Sequence, residues 1–589
     1  MRESPSTVGL PPLHPRWVEP TPPSPDAVAR LQGELKLPRA LCAVLAARGL
    51  EEPDDAKRFL RPLLDHLHDP ALLADGSAAA RRIARATSSG EVILVHGDYD
   101  VDGICATALY TRWLRRLGGR VVPFVPHRLR DGYDFGDAGL AAARDAGAGL
   151  ILTADCGTVA GDAVARAREE GRDVVVTDHH TVGETPAPAT FLVNPRRPDC
   201  DYPDPDLCGA GVAYKVCELV ARELGVEADE LSRHLDLVAL ATVADLVPLQ
   251  GENRVLVRHG LRRFAQSANV GLRALLEVSE VAPDQVSAGM LGYRVGPRIN
   301  AAGRLGESAE ALRLLLTDDR DEALRLARRL DELNQDRRDE DGRTLEEVLE
   351  RLSREFDPKR DFGVVLAGEG WHPGVIGIVA SRVVERIHRP TVLLAMNGEV
   401  ARGSARSIPG FHLYDALATC RPLLRRFGGH AQAAGMDVDR ERVTELREAF
   451  NAEARRRLAD VELRPRLRSD LDLPLPEASL DLVHWLSYLG PHGIGNPGPT
   501  FLARGVRVHG ARVVGEDHLK ARLAPDDGSP VEAIGFGMAG RHPPEQVEGR
   551  RVDVLLRLER NEWRGTVSLQ ARLLDLRLAD GTDAGGARP

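Results

Sequence analysis

Several features that define other classes of protein are scarce or missing in this sequence. It has no apolar run long enough to span a membrane, and its first residues contain no apolar signal-peptide core, so we expect a cytoplasmic protein. The seven cysteines include no CxxC pair, which argues against a disulfide framework or a cysteine-rich zinc site. Aromatic residues make up only 4% of the chain, and the formal net charge is −10. This acidity argues against a general nucleic-acid coat protein, but it allows an enzyme with a local basic groove.

What is present is an ordinary globular composition spread over a long chain. The 589 residues exceed what one hydrophobic core supports, and 43% hydrophobic with 28% charged residues is typical of a folded protein. We therefore expect three or four domains. Residues 1–35 are rich in proline and serine and are predicted to form an extended arm.

From residue 91 the sequence alternates apolar, β-branched runs with helical patterns. This alternation predicts a parallel sheet with helices on both faces, and therefore an α/β fold. The predicted helices are 105–117, 139–146 and 161–170, and the predicted strands lie in EVILVH, RVVPFVPH, GLILTADCG, RDVVVTDHH and TFLVNP.

The stretch HGDYDVDG follows the first of these strands and carries His96, Asp98, Asp100 and Asp102 at every second position. If the backbone stays extended, all four side chains point to one side. Three carboxylates and an imidazole so close together would repel one another unless a divalent cation held them. The alternative is an ordinary acidic turn after a strand.

Other strand ends carry the same kinds of side chain. Asp155 ends the third strand, and Asp178, His179 and His180 end the fourth. Because ligands collect at the carboxyl ends of parallel strands, we expect these groups to converge on one site. Asp245, in the apolar segment ATVADLVPL, is a further candidate, since a carboxylate there is costly unless it is paired or ligating. The alternative for Asp245 is a helix cap before Pro248.

The second half of the chain predicts three further parts. Residues 318–356 form a long amphipathic helix that connects two lobes, and a second, smaller α/β unit begins near residue 362. In that unit ARGSARS and FGGHAQAAGM combine small residues with Arg402, Arg406 and His430, which favours anion binding over tight turns with surface arginines. After a proline-rich linker at 464–476, short strands up to about residue 578 predict an all-β barrel of OB type.

The motifs HGDYDVDG, ADCGT, TDHH and ATVADLVPL resemble the four motifs of the DHH phosphoesterase superfamily. WHPGVIGIVASR, ARGSARS and FGGHAQAAGM resemble its DHHA1 domain. With GPRINAAGRLG between them and a barrel at the end, residues 75–580 resemble the RecJ family of bacterial single-strand-specific 5′→3′ DNA exonucleases. The implied domains are an N-terminal arm with helices (1–75), a DHH catalytic domain (76–310), a connecting helical region (311–360), a DHHA1 domain (361–460) and an OB-like domain with a C-terminal tail (461–589).

The resemblance implies two divalent cations, manganese before magnesium, and a set of residues that hold them. His96, Asp100 and Asp155 would bind one ion, and Asp102, Asp155, His179 and Asp245 would bind the other. His180 would contact the scissile phosphate, with Asp98 and Asp178 supporting catalysis from behind the ligands. Carboxylates with a few imidazoles also suit manganese better than zinc, for which cysteine is more usual.

The resemblance also implies how the substrate is held and what acts alongside the enzyme. The expected phosphate-binding residues are Arg128, Arg298, Asn300, Arg304, Ser404, Arg406 and His430. For Arg128 a surface salt bridge to Asp131 or Asp134 is an equal alternative. The implied partners are single-stranded DNA, a single-stranded-DNA-binding protein and a RecQ-type helicase, with no membrane, and the chain is expected to be a monomer.

Two other functions remain open from the sequence. The same DHH and DHHA1 pair would serve a phosphodiesterase of short oligonucleotides or cyclic dinucleotides, although such an enzyme needs no added barrel. A non-catalytic replication scaffold would also fit the fold, but the complete set of metal-binding residues argues against it.

Overall fold

The computed structural model describes residues 10, 13–128 and 130–579. The chain divides into two compact units, one of residues 58–337 and 489–498 (unit one) and the other of residues 1–57, 338–488 and 499–589 (unit two). Within the described ranges, the helices are all too short or too polar to cross a membrane.

The beginning of the chain is more ordered than the predicted arm. Its elements are β1 (Arg16–Val18), α1 (Pro25–Leu35), α2 (Arg39–Ala47) and α3 (Pro53–Leu60). The prediction of an extended arm is wrong for Pro25–Leu35, which is helical because Ser24 caps the Ala27 amide and Pro25 occupies the first turn. The part of the arm at residues 1–9, 11 and 12 lies outside the described residues.

Unit one is built on the predicted parallel sheet, which the structure confirms. Its strands are β2 (Val92–Gly97), β3 (Arg120–Phe124), β4 (Leu150–Ala154), β5 (Asp173–Thr177) and β6 (Phe191–Val193), in the spatial order β3-β2-β4-β5-β6. Their register is parallel throughout. Helix α4 (Gly76–Ser89) precedes the sheet, and the helices between its strands are α5 (Val101–Arg116), α6 (Asp137–Asp145) and α7 (Gly161–Glu169).

The β-branched runs form strands because both faces of this sheet are buried. Ile93 and Val95 pack in one hydrophobic cluster, whereas Leu94 between them packs in the other. This alternation is the period of two that a pleated strand imposes. Because all five strands are parallel, their carboxyl ends lie at one edge of the sheet, where the acidic and histidine residues that follow β2, β4 and β5 are found.

The rest of unit one is helical. It consists of α8 (Gly209–Glu223), α9 (Leu235–Ala244), α10 (Gly251–Arg263), α11 (Val270–Val278), α12 (Ala288–Met290), a π-helical turn (Leu291–Val295), α13 (Gly296–Leu305) and α14 (Ser308–Leu316). The predicted long helix follows as α15 (Arg320–Glu355), along which the chain leaves unit one.

The first part of unit two is the predicted smaller α/β domain. Its strands are β7 (Val364–Glu369), β8 (Thr391–Asn397), β9 (Val400–Arg406), β10 (Leu424–Gly429) and β11 (Ala433–Asp439), and its helices are α16 (Ile376–Ile387), α17 (Leu413–Thr419) and α18 (Val443–Leu458). The order is β10-β11-β9-β8-β7, with β7 and β8 parallel and the other pairs antiparallel.

The second part of unit two is the predicted barrel. Its elements are β12 (Arg466–Arg468), β13 (Leu471–Asp472), α19 (Leu480–Leu486), β14 (Phe501–Val514), β15 (His518–Ala524), β16 (Val531–Gly535), α20 (Pro544–Val547), β17 (Arg551–Trp563) and β18 (Thr566–Leu578). Because β14 pairs with both β15 and β17, the six-stranded sheet closes on itself.

The stretch predicted as a proline-rich linker is not a free connection. It contains β12 and β13, and β12 pairs in parallel with β1 at the start of the chain. The prediction failed because the partner of β12 lies about 450 residues away in the sequence, where no local pattern indicates it.

Candidate metal centre

The turn after β2 does not stay extended, which corrects the expected one-sided arrangement of its four polar residues. The strand ends at Gly97 and α5 begins at Val101, with Asp100 as its N-cap. Asp100 Oδ1 accepts from the amides of Asp102 (2.9 Å) and Gly103 (3.1 Å), so Asp102 lies in the first helical turn. This cap also explains why α5 begins four residues before the predicted start.

His96 lies at the end of β2 as a buried imidazole. Its ring is fully buried, with Phe124 and Phe135 at centroid distances of 5.3 Å and 5.2 Å. Nδ1 lies 3.6 Å from Cys156 Sγ, and burial lowers the pKa of His96 to about 4. Nε2 is buried and makes no hydrogen bond to any described residue. An imidazole nitrogen in this condition is ready to bind a metal ion.

Asp155 follows β4 in a backbone conformation that few residues with a side chain adopt. Its φ is 67°, in the left-handed region, and its side chain is 2% exposed. Oδ1 makes no hydrogen bond within the described chain, yet it lies 3.1 Å from His179 Nε2. Burial, reinforced by the charge of Asp102, raises the pKa of Asp155. A cation between these atoms would remove the cost of this strained, crowded carboxylate.

Asp178 organises the histidine pair after β5. Its Oδ1 accepts from the amides of His179 (2.7 Å) and His180 (3.1 Å), and it lies 2.8 Å from His180 Nδ1. Burial opposes the charge of Asp178, but the bond to His180 holds its pKa well below the usual range. Burial likewise opposes the charge of His180, whereas Asp178 raises the pKa of His180 to about 9. His180 Nε2 is left facing Tyr133 Oη at 3.3 Å.

His179 brings together two carboxylates from different elements. Its Nε2 lies 3.7 Å from Asp102 Oδ2 and 3.6 Å from Asp245 Oδ2. Asp245 is the residue directly after α9, so it lies both at the end of a helix and in the candidate metal site. Burial, with repulsion from Asp102 and Asp100, raises the pKa of Asp245 to about 9. Burial lowers the pKa of His179 to about 3.

Three sets of side-chain atoms are close enough to share a metal ion. Within each set the ligand atoms lie within 4.8 Å of one another, and the sets are Asp155, His179 and His180; Asp102, His179 and Asp245; and Asp98, Asp100 and Asp155. The donors are carboxylates and imidazoles, which suit manganese or magnesium. Buried atoms without a hydrogen bond among the described residues (His96 Nε2, Asp98 Oδ1, Asp155 Oδ1 and His179 Nε2) indicate that the residues fit such ions.

The third set places Asp98 beside Asp100 and Asp155, a position that the alternation in HGDYDVDG allows but the family resemblance does not imply. Asp98 was expected to act from behind the ligands, but its carboxylate is 3% exposed and close to those of Asp100 and Asp155. Burial and the charge of Asp100 raise the pKa of Asp98. Asp98 therefore joins the candidate metal ligands.

The predicted phosphate-binding residues of unit one lie in two segments. The Arg128 guanidinium lies 5.0 Å from the centre of the ring of Tyr99, which is the tyrosine of the HGDYDVDG turn. Arg298, Asn300 and Arg304 are on α13, which packs closely against this turn, since a Cβ at Gly303 would lie 2.7 Å from the Tyr99 carbonyl oxygen. Arg298 is already engaged, because it forms an ion pair of 2.8 Å with Asp331.

The predicted anion site of unit two brings two of its members together. Ser404 and Arg406 are two residues apart on β9, and Arg406 Nη1 donates to Ser404 Oγ at 3.0 Å. Both approach α16, since a Cβ at Gly377 would lie 2.8 Å from Ser404 Oγ and 2.9 Å from Arg406 Nη2. His430 lies between β10 and β11, where its amide donates to the Ala433 carbonyl and its side chain is exposed. Arg402 lies 3.6 Å from Asp437, across the strand pair.

Asp134 contributes in a way that the sequence did not reveal. It was considered only as a salt-bridge partner of Arg128, but its Oδ1 accepts from the amides of Gly157 (2.6 Å) and Phe135 (2.8 Å). It thereby fixes the loop that follows Asp155. Burial raises the pKa of Asp134 to about 6. The only signal in the sequence is an acid beside a glycine-rich turn, which is too common to be informative.

Comparison with known proteins identifies the same three domains by sequence. The profile of the DHH family N-terminal domain matches residues 92–242, that of the DHHA1 domain matches residues 361–456, and that of the RecJ OB domain matches residues 469–575. The candidate metal ligands up to His180 lie inside the first match, and Asp245 lies three residues beyond it.

Curated relatives and solved structures extend this likeness over nearly the whole chain. The single-stranded-DNA-specific exonuclease RecJ of Dickeya dadantii is 39% identical over 92% of this chain and 97% of its own length. The same-named protein of Bacillus subtilis is 33% identical over 95% of this chain and 70% of its own length. The crystal structure of Thermus thermophilus RecJ in complex with Mn²⁺ has a TM-score of 0.82 and 34% identity, covering 97% of this chain and 81% of that one. A structure of the same protein with Mg²⁺ has a TM-score of 0.76.

Proposed function

The chain belongs to the RecJ family of single-stranded-DNA-specific exonucleases, and from this premise we propose that it degrades single-stranded DNA from the 5′ end to 5′-mononucleotides. Its role in DNA recombination and repair follows from the family. It is a hydrolase that uses divalent cations, and RecJ structures are known with Mn²⁺ and with Mg²⁺.

The observation that carries this proposal is the buried set of unsatisfied ligand atoms at the strand ends of unit one. Burying several carboxylates without counter-charge costs several kcal/mol for each ion in real proteins. Asp98, Asp102 and Asp155 are each at most 3% exposed, and no lysine or arginine forms an ion pair with them among the described residues. Cations bound among these carboxylates would supply the missing counter-charge.

The chain's residues divide between holding ions and holding the phosphate. His96, Asp98, Asp100 and Asp155 would hold one ion, and Asp102, Asp155, His179 and Asp245 would hold the other. When bound, two such ions supply a nucleophilic water and stabilise charge on the phosphoryl oxygens. Asp155 is common to both groups, because its Oδ1 lies 3.1 Å from His179 Nε2 and its carboxylate is also close to Asp98 and Asp100.

His180 is oriented so that only one of its nitrogens can reach a substrate. Its Nδ1 is occupied by Asp178 at 2.8 Å, which fixes the ring and leaves Nε2 as the donor to a phosphate oxygen. In the structure this nitrogen lies 3.3 Å from Tyr133 Oη. In this assignment Asp178 acts on the substrate through His180.

We further propose that arginines recognise the terminal phosphates. Arg128 stacks over Tyr99, Asn300 and Arg304 lie on α13 against the same turn, and Arg298 is anchored to Asp331. Ser404, Arg406 and His430 of unit two would bind adjoining phosphates, with Arg406 using its planar fork. A single-stranded-DNA-binding protein and a RecQ-type helicase would supply the substrate, and the barrel is the part of the chain suited to the strand or to such partners.

The experiment that tests the function uses four substrates with Mn²⁺: a 5′-labelled single strand, a 3′-labelled single strand, a blunt duplex and a dinucleotide. The expected result is early release of labelled mononucleotide from the 5′-labelled strand only. Cleavage confined to the dinucleotide would identify a small-substrate phosphodiesterase instead. Absence of hydrolysis with Mn²⁺ and with Mg²⁺ would contradict the enzymatic proposal.

A further inference from the structure

The amino-terminal turn of α8 lies against two carboxylates of the candidate metal centre. The amide of Gly209 donates to Asp102 Oδ2 at 2.6 Å, and the amide of Ala210 donates to Asp102 Oδ1 at 2.7 Å. The first amides of a helix have no partner within the helix, so they are available for an anion. Each Asp102 oxygen gives up one lone pair to these bonds and keeps another for a cation. The turn therefore fixes the plane of the Asp102 carboxylate.

Gly209 also provides the space that Asp155 occupies. A Cβ at position 209 would lie 2.4 Å from Asp155 Cβ and 2.6 Å from Asp155 Oδ1, closer than non-bonded atoms approach. The requirement for glycine is steric, because the backbone there is the first residue of a right-handed helix rather than a left-handed turn. Asp155 has little freedom to move aside, since its own φ is 67° and its amide donates to the Thr177 carbonyl.

We propose that the turn formed by Gly209 and Ala210 positions two ligands of the metal centre. The two backbone amides orient the Asp102 carboxylate, and the absence of a side chain at Gly209 leaves the space that Asp155 occupies. Gly209 is a positioning residue and touches neither ion nor substrate. The inference rests on the metal roles of Asp102 and Asp155 proposed above.

The test compares Gly209→Ala with Gly211→Ala, a matched control two residues further along the same helix. A Cβ at Gly211 would meet Leu207 atoms at 3.4 Å and 3.5 Å and Cys208 Sγ at 3.8 Å, which is ordinary packing. We expect Gly209→Ala to weaken Mn²⁺ binding to the DNA-free protein by roughly 10- to 100-fold, the usual range for residues that orient metal ligands. Gly211→Ala is expected to stay within about twofold of the wild type, because it displaces no ligand. Isothermal titration measures both affinities, and kcat on single-stranded DNA is expected to follow them.

The change in melting temperature on adding Mn²⁺ distinguishes a role of Gly209 in positioning metal ligands from a role in folding alone. If Gly209 positions the ligands, the rise in melting temperature on adding Mn²⁺ shrinks in Gly209→Ala and is unchanged in Gly211→Ala. A lower melting temperature without metal, combined with a wild-type rise on adding Mn²⁺, would overturn the proposal. So would wild-type Mn²⁺ affinity in Gly209→Ala.

A measurement on the unaltered protein keeps the proposal testable even if Gly209→Ala does not fold. Hydrogen exchange without metal is expected to show protected amides at Gly209 and Ala210, although amides at helix starts normally exchange fast. Fast exchange at both would overturn the preformed turn. Failure of the proposed exonuclease function can be distinguished from failure of the Gly209 proposal. In that case the wild-type protein itself would bind Mn²⁺ without hydrolysing DNA, or would not bind Mn²⁺.

Discussion

Asp155 is the residue on which the candidate site depends most. Its Oδ1 is buried without a hydrogen bond, lies 3.1 Å from His179 Nε2, and belongs to two of the three sets of candidate ligands. The sequence could predict this residue because it stands directly after an apolar strand. It could not predict the left-handed backbone of this residue or the close approach of its side chain to Gly209, because both appear only in the folded structure.

Asp155→Asn tests this dependence. Because both ions would lose a charged ligand, we expect turnover to fall by more than the roughly 100-fold that loss of a residue behind the ligands costs. Binding of single-stranded DNA, measured by filter retention, is expected to stay within a few-fold, since the phosphate-binding residues are untouched. Retention of a tenth or more of wild-type turnover at saturating Mn²⁺ would show that the ligand assignment is wrong.

Asp178→Asn separates orientation of His180 from metal binding. The asparagine keeps the size of the side chain but loses the charged acceptor at 2.8 Å from His180 Nδ1. We expect kcat to fall roughly 10- to 100-fold, as for other residues that orient a catalytic histidine. Mn²⁺ affinity is expected to change much less. An equal loss of Mn²⁺ affinity and kcat, measured side by side, would instead make Asp178 part of the metal site.

At the scale of elements, the start of α5 is where the structure departs from the extended backbone that the sequence pattern predicts. The alternation of His96, Asp98, Asp100 and Asp102 is the pattern of a strand, but the N-cap bonds of Asp100 turn the chain into a helix at Val101. Local capping therefore outweighed periodicity. The turn nevertheless folds tightly, since a Cβ at Gly103 would lie 2.5 Å from the Asp98 amide nitrogen, and it brings the carboxylates of Asp98 and Asp100 together.

The contact between β1 and the barrel gives a prediction about pH. Asp575 accepts from Trp17 Nε1 at 2.7 Å and also contacts His542 Nε2 at 2.8 Å and Arg541 Nη2 at 3.2 Å. Burial opposes the charge of Asp575, but its bonds to His542 and Trp17 lower its pKa below the usual value. Its folded pKa thus lies below its unfolded pKa of about 3.9, so the ionised group stabilises the fold above that pH.

Asp575→Asn is therefore expected to lower the unfolding free energy of unit two by about 1–3 kcal/mol at pH 7. The difference between variant and wild type should narrow as pH falls below about 4 and disappear once Asp575 is protonated in the folded protein. Urea unfolding followed at several pH values measures it. A difference that is constant down to the lowest pH would mean that the carboxylate charge contributes nothing.

At the scale of the whole molecule, the sequence predicted the fold wherever periodicity and burial agree. The parallel sheet, the second α/β domain and the barrel were visible as short apolar runs, and the long helix was visible from its amphipathic pattern. The pairing of β1 with β12 was not, because it joins residues 16–18 to residues 466–468 through backbone bonds that no side-chain pattern encodes. The residues of the candidate metal site could be named from the sequence, whereas its hydrogen bonds, such as those from α8 to Asp102, could not.

Removal of metal is expected to affect stability as well as activity. Chelation leaves the buried carboxylates of unit one to repel one another, so we expect a lower melting temperature for the metal-free protein and loss of hydrolysis. Mn²⁺ at 100 times its dissociation constant should restore about 2.7 kcal/mol of stability per site. Calorimetry with and without Mn²⁺ measures this effect, and identical melting curves would contradict it.

The most direct test of the two-ion site is an anomalous difference map from crystals grown with Mn²⁺ and measured at the manganese absorption edge. The account predicts two peaks roughly 3.5–4 Å apart. Asp155 should touch both, with His96 on one side and His179 on the other. A single peak, or two peaks of which Asp155 contacts only one, would contradict it.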